Sequence, residues 1–118
     1  MRKAEIKRKT KETSIELNIN LDGTGKSSIS TPFGMLTHMM EQISKHALID
    51  INLKVSGDTE TGSHHVVEDT AIVLGEAFDK ALGDRSGIER MADSTVPLDE
   101  SLSMVAIDLA GRGYHSVE

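Results

Sequence analysis

A chain of 118 residues with 37% hydrophobic and 27% charged side chains has the composition of a soluble globular domain, with material for a single core. A formal net charge of −6 argues against a nucleic-acid surface as the main function, and the absence of cysteine excludes disulfides and thiolate metal ligation. Any metal must therefore be held by histidine and carboxylate. Phe33, Phe78 and Tyr114 are the only aromatics, so the core is expected to be aliphatic and rich in methionine. The N-terminus Met1-Arg2-Lys3-Ala4-Glu5 is charged and no long apolar run follows it, which predicts neither a signal peptide nor a membrane span and makes the cytoplasm the default location.

Lys3 to Leu21 reads as a hairpin or a long bent strand. Ile15, Leu17, Ile19 and Leu21 alternate with polar residues, the period of two of a sheet with one buried face. The preceding Ile6 to Thr13 is basic and threonine-rich, as suits an edge strand whose lysines discourage pairing with other chains. Asp22-Gly23-Thr24-Gly25-Lys26 is a turn with too few glycines for a phosphate loop, and Ser28-Ile29-Ser30 follows as a short strand before Thr31-Pro32. From Gly34 to Ala47 the period becomes helical, with Leu36, Met40, Ile43 and Ala47 as the expected buried stripe and His38, Gln42 and His46 as a second stripe on a neighbouring face. Ile49 to Val55 alternates again as a strand, and a polar loop over 59–63 leads into a second helix from about His64 to Leu82, with Gly83 as its stop.

The start of that second helix, Ser63-His64-His65-Val66-Val67-Glu68-Asp69, is where chemistry is expected. Successive side chains of a helix turn by about 100°, so His64 and Glu68 share a face, His65 stands i,i+3 from Glu68, and the two imidazoles diverge. Imidazole and carboxylate suit a borderline ion such as zinc, manganese or iron, and diverging histidines beside one carboxylate suit two neighbouring metals better than one. Spacing alone leaves a second reading open, a solvated helix start with Ser63 as N-cap and Glu68 and Asp69 favoured by the helix dipole. Along this helix Val67, Ala71, Leu74, Phe78, Ala81 and Leu82 form the expected core stripe.

Beyond the loop Asp84 to Gly87, a strand is expected to include Ser94 to Val96 and to end before Pro97. Ser101 to Ala110 is apolar enough to read as a mostly buried strand, and Gly111-Arg112-Gly113 turns the chain into another strand at Tyr114 to Glu118. No third helix follows to cover these strands. The order looks like one unit followed by the opening hairpin of a second, and the expectation is a fragment or a chain completed by partners.

Five segments taken together carry a family resemblance: Arg8-Lys9-Thr10-Lys11-Glu12-Thr13; Thr37-His38-Met39-Met40-Glu41-Gln42-Ile43 with His46; His64-His65-Val66-Val67-Glu68-Asp69-Thr70-Ala71; Pro97-Leu98-Asp99-Glu100-Ser101-Leu102; and Asp108-Leu109-Ala110-Gly111-Arg112-Gly113-Tyr114. In order and spacing they resemble imidazoleglycerol-phosphate dehydratase of histidine biosynthesis. The resemblance implies an α+β fold like the second domain of ribosomal protein S5, built from two similar halves, each with an HHxxE helix and with helices on one face of a mixed sheet. Residues 1–90 would be the first half and 91–118 the truncated opening strands of the second.

It further implies a cytoplasmic hydro-lyase that converts imidazole glycerol phosphate, a small phosphate ester, to imidazole acetol phosphate and water. Two manganese ions, or other divalent metals, would be shared between subunits of a homo-oligomer, a cubic assembly of about 24 chains if the full-length chain is present. No nucleic acid or membrane partner is implied. His38, His64, His65 and Glu68 match metal ligands. Glu12 matches a catalytic and substrate-side glutamate, Glu68 is grouped with it at the catalytic centre, Gln42 and His46 lie on the substrate side, and Arg90 and Arg112 match phosphate-binding arginines. Thr37 and Ser63 stand where aspartate is common in the family, and the second HHxxE and the lysine and serine of the phosphate grip are absent. The 118 residues alone are therefore expected not to form a full dimetal site. A metal-binding or assembly fragment without catalysis, and a metal-dependent hydrolase, are the alternative functions.

Overall fold

The computed structural model describes residues 1–118, which divide into two compact units, Met1–Gly83 and Asp84–Glu118. In the first unit the basic segment forms β1 (Lys3–Lys9), followed by β2 (Thr13–Asn20), β3 (Ser27–Ser30), α1 (Gly34–Ala47), β4 (Asp50–Gly57) and α2 (His64–Leu82). The sheet order is β1-β2-β4-β3, antiparallel except for the parallel β3–β4 pair, so the basic β1 is an edge strand as its lysines predict. Alternation sends Ile15, Leu17 and Ile19 of β2 and Ile51, Leu53 and Val55 of β4 to one buried face. Both helices lie on that face, α2 over β1, β2 and β4, and α1 over β3 and β4. The opposite face carries Ser14, Glu16, Asn18, Asn52 and Lys54, all exposed.

The turn before β3 is held by Asp50 at the start of β4. Its Oδ1 accepts backbone N–H bonds from Thr24, Gly25 and Lys26 at 3.0, 3.1 and 2.9 Å. These donors, Lys26 foremost, hold the Asp50 carboxyl below the ordinary carboxylate range. A depressed folded-state pKa contributes stability that is present above the unfolded value and is lost as pH falls through the folded one. Asp50→Asn is expected to lower the urea midpoint at pH 7, with the gap from the native chain closing as pH is taken below the usual carboxylate range; a gap independent of pH would contradict this account.

Two helical stripes differ from the spacing-based expectation. In α1 the buried positions are Met40 and Ser44, whereas Ile43 and Ala47 are exposed. Ser44 is admitted to the interior because its hydroxyl donates to the Ile49 carbonyl at 2.7 Å. In α2 the core line is Val66, Thr70, Val73, Ala77 and Ala81, and Val67 and Ala71 face outward. Thr70 satisfies its hydroxyl on the Val66 carbonyl at 2.7 Å, which leaves its methyl to pack like an apolar side chain. In both helices a locally bonded hydroxyl hides a core position from an apolar count. Ser63 occupies the N-cap position of α2 but makes no side-chain cap, and Gly83 ends the helix at φ 60° and ψ −124°, a conformation that glycine alone adopts without strain.

The second unit is a hairpin of β5 (Met91–Leu98) and β6 (Ser101–Asp108), joined by Asp99 and Glu100 with Asp99 at φ 50°, a value aspartate tolerates. Three expectations are corrected there. Pro97 lies inside β5, opposite Leu102, because a two-stranded ribbon leaves each strand one outer edge where a missing N–H costs no ladder bond. β6 is exposed along its whole length instead of buried, since no layer packs on either face of the ribbon. Residues 114–118 form no strand.

Candidate functional site

The first turn of α2 places His64 Nε2 3.1 Å from Glu68 Oε2, the i,i+4 pairing implied by the helical repeat, with both side chains largely in solvent. The His64 and His65 ring centroids sit 5.5 Å apart at an interplanar angle of 68°, an edge-on contact between the two imidazoles. His65 precedes the buried Val66 and is half-buried. Its Nδ1 is enclosed without a hydrogen-bond partner, and the nearest carboxylate oxygen, Asp58 Oδ2, lies 3.9 Å away, beyond hydrogen-bond reach.

Glu12 occupies the turn between β1 and β2, and the fold brings that turn to the start of α2. Thr13 is 3% exposed, and its hydroxyl donates to Asp69 Oδ2 at 2.5 Å. The Glu12 carbonyl accepts the Asp58 N–H at 2.7 Å, which fastens the turn to the end of β4. Gly57, opposite Thr13 in the ladder, permits this approach: a Cβ there would meet the Glu12 carbonyl oxygen at 2.8 Å and the Val66 side chain at 3.1 Å. Gly57→Ala is therefore expected to destabilise the first unit by about 1–3 kcal/mol through overpacking. A thermal melt of the variant checks this, and an unchanged midpoint would contradict the crowding.

Thr13, Gly57 and Asp58 were not singled out by sequence reasoning, and Asp69 was read only as an acid of the paired-histidine stretch favoured by the helix dipole. Two of them left a signal. Thr13 extends the inward period of Ile15, Leu17 and Ile19 by one step, and Asp69 stands i,i+4 from His65. Gly57 and Asp58 left none, because their importance comes from pairing with a strand about forty residues earlier.

His38, Gln42 and His46 all lie on α1. His46 Nε2 is 3.0 Å from Gln42 Oε1, and His38 is exposed. No group of three histidine or acidic side chains converges as a metal site, so His38 is not gathered with His64, His65 and Glu68. The chemistry of the donors nonetheless fits a borderline divalent ion: a histidine and a carboxylate already adjacent, and beside them an imidazole with a buried, unpartnered nitrogen. The first unit thus presents part of a coordination set.

In the second unit, Arg90 engages Asp108 through Nε and Nη2 at 2.6 and 3.1 Å. That bond raises the Arg90 pKa and holds the Asp108 carboxyl below its ordinary value. Arg112, whose charge also lowers Asp108, lines an open cavity of about 470 Å³ with Asp108, Tyr114, His115 and Ser116.

Comparisons with known proteins bear on these residues as a set. A family model described as imidazoleglycerol-phosphate dehydratase matches residues 31–118. The imidazoleglycerol-phosphate dehydratase of Bifidobacterium animalis subsp. lactis (strain AD011) is 56% identical over 113 residues, covering 96% of this chain and 56% of the relative. That of Dehalococcoides mccartyi (strain CBDB1) is 55% identical over 113 residues, with the same coverage. The crystal structure of imidazoleglycerol-phosphate dehydratase from Staphylococcus aureus subsp. aureus N315 superposes with a TM-score of 0.81 at 29% identity, over 95% of this chain and 60% of that one. The chain therefore spans between half and two thirds of the length of these relatives. With an α+β fold, a paired-histidine helix inside the span that the family model matches, and relatives 56% and 55% identical over 96% of its length, the chain belongs to the imidazoleglycerol-phosphate dehydratase family.

Proposed function

We propose that this chain contributes the first-half side chains of a dehydratase centre that converts imidazole glycerol phosphate to imidazole acetol phosphate and water in histidine biosynthesis. The observation that carries the reading is the convergence of the Glu12 turn on the helix that bears His64, His65 and Glu68. The proposed metal is manganese, held here by His64, His65 and Glu68, with His38 supplied to a site shared with another chain of a homo-oligomer. Bound manganese would supply Lewis acidity toward the ring nitrogens of the substrate imidazole. A coordinating imidazole must be deprotonated, so His64 and His65 serve as ligands only in their neutral form.

The reaction breaks one C–H and one C–O bond, and the enol that results tautomerises to the ketone. Glu12 is suited to hold or move the proton in these steps, since a carboxylate can take it and return it. Its backbone is anchored at the carbonyl, while its side chain is exposed on the turn. Arg90 and Arg112 would grip the phosphate, turning binding energy at a remote group into orientation of the reacting carbons. The Asp108 pair occupies two of the five guanidinium N–H groups of Arg90 and leaves the others for substrate. Gln42 and His46 would line the substrate side, where their mutual contact fixes the direction of each polar end.

One incubation tests the proposal. The manganese-loaded protein, supplied with a chain that carries the second HHxxE half because residues 1–118 are expected not to complete the dimetal site alone, is given imidazole glycerol phosphate, and ketone product and free phosphate are followed together. Ketone without phosphate is expected. Phosphate release would point to a metal-dependent hydrolase, and neither product would point to a binding or assembly module.

A further inference from the structure

Asp69 follows the HHxxE segment directly, yet its carboxylate faces away from the His64–Glu68 pair toward the β1–β2 turn. Its Oδ2 accepts the Thr13 hydroxyl at 2.5 Å, and the Arg8 guanidinium lies 3.8 Å from Oδ1. The Thr13 hydroxyl proton is thereby committed, so in the 3.3 Å contact between the Thr13 and Thr10 hydroxyls it is Thr10 that donates. The Thr10 oxygen in turn accepts the N–H groups of Glu12 at 3.1 Å and Thr13 at 3.0 Å. Each oxygen in the line from Asp69 through Thr13 and Thr10 to the Glu12 amide has one role, and the polarity of the whole is set by the carboxylate at its end. On the other side of the turn, the Asp58 N–H holds the Glu12 carbonyl.

We infer that Asp69 is a positioning residue: through the Thr13 and Thr10 hydroxyls it locks the Glu12 turn in register with the helix bearing His65 and Glu68. The role rests on the dehydratase reading for its catalytic meaning, and on hydrogen bonding alone for its structural part. The three-residue connection Thr10 to Glu12 is closed in the backbone by the Thr10 N–H bond to the Thr13 carbonyl at 2.8 Å, and without the side-chain line its exposed residues Lys11 and Glu12 would sample several conformations. A displacement of the order of 1 Å in a proton-moving carboxylate lowers turnover by up to about 10²-fold without loosening substrate binding.

The test uses the full chain and two pairs of variants. Asp69→Ala and Thr13→Val cut the line, whereas Asp69→Asn retains an acceptor oxygen and Thr13→Ser retains the hydroxyl. Amide hydrogen exchange at Glu12, Thr13 and Asp58 is expected to quicken by about tenfold or more in the cutting pair and to stay near native in the conservative pair. With manganese and imidazole glycerol phosphate, kcat should fall by about 10- to 100-fold in the cutting pair, with KM within about twofold of native. Native exchange at these amides in both cutting variants would overturn the inference whatever the activity. So would faster exchange with undiminished kcat. Turnover is measured with the second HHxxE half supplied; native protein without any turnover in that complemented assay would sink the dehydratase reading, and the exchange comparison would still decide whether Asp69 holds the turn. Should Thr13→Val fail to fold, the Asp69→Ala and Asp69→Asn pair gives the same decision.

Discussion

Glu12→Gln is expected to lower kcat on imidazole glycerol phosphate by about 10²- to 10⁴-fold, the range that a positioned acid or base contributes to a proton transfer. Glutamine keeps the size and polarity of the side chain but can neither take up nor release a proton at working pH. The backbone bonds that fix the turn, from the Glu12 amide to Thr10 and from Asp58 to the Glu12 carbonyl, do not involve the substituted atoms. Because the side chain is exposed, the thermal midpoint and the metal content should remain native. Steady-state turnover at saturating substrate with the second HHxxE half supplied, a thermal melt, and metal content by mass spectrometry check all three. A variant that retains kcat within about twofold of native would remove Glu12 from the chemistry.

The largest expected effect on stability is at Leu17. It is fully buried at the centre of β2, between Ile6 of β1 and Leu53 of β4, under the helix that carries the paired histidines. Leu17→Ala removes the buried methyl groups and leaves a cavity that surrounding strands, held on both sides, cannot close. The cost is about 2–5 kcal/mol, a large share of the roughly 5–15 kcal/mol that holds a typical domain together. Leu17→Met nearly conserves volume and should cost less than about 1.5 kcal/mol. Urea unfolding of both variants provides the measurement. A Leu17→Ala loss no larger than that of Leu17→Met would mean that the sheet relaxes around the deletion.

Elements were legible in proportion to how local their determinants are. The bounds of α1 and α2 follow from periodicity and from Gly83, and the alternation in β2 and β4 named the residues that line the core. The lysines of β1 marked an edge. Periodicity found the inward side of each helix but not its full line: Met40 and Ala81 are buried and Leu36, Leu74 and Phe78 pack against the core as expected, whereas Ile43, Ala47, Val67 and Ala71 are exposed. Ser44 and Thr70 look polar in the sequence, yet each satisfies its hydroxyl on a nearby carbonyl and takes a core position that an apolar count assigns elsewhere. The apolar content of β6 likewise suggested a mostly buried strand, yet it is exposed along its length. Burial needs a second layer, and the described ribbon has none.

The candidate site shows the same division. Repeat geometry alone put His64 and Glu68 on one face, because residues four apart on a helix are neighbours whatever else the chain does. The sequence by itself thus determined the fold class, the helix that presents the imidazoles and the family to which the chain belongs. Only the tertiary structure decided that the Glu12 turn meets the start of that helix. The contact joins Thr13 to Asp69 across 56 residues and depends on a glycine at position 57 that leaves room for it. Such a contact is produced by antiparallel register and the packing of a helix on a sheet, and neither leaves a mark in the spacing of residues along the chain.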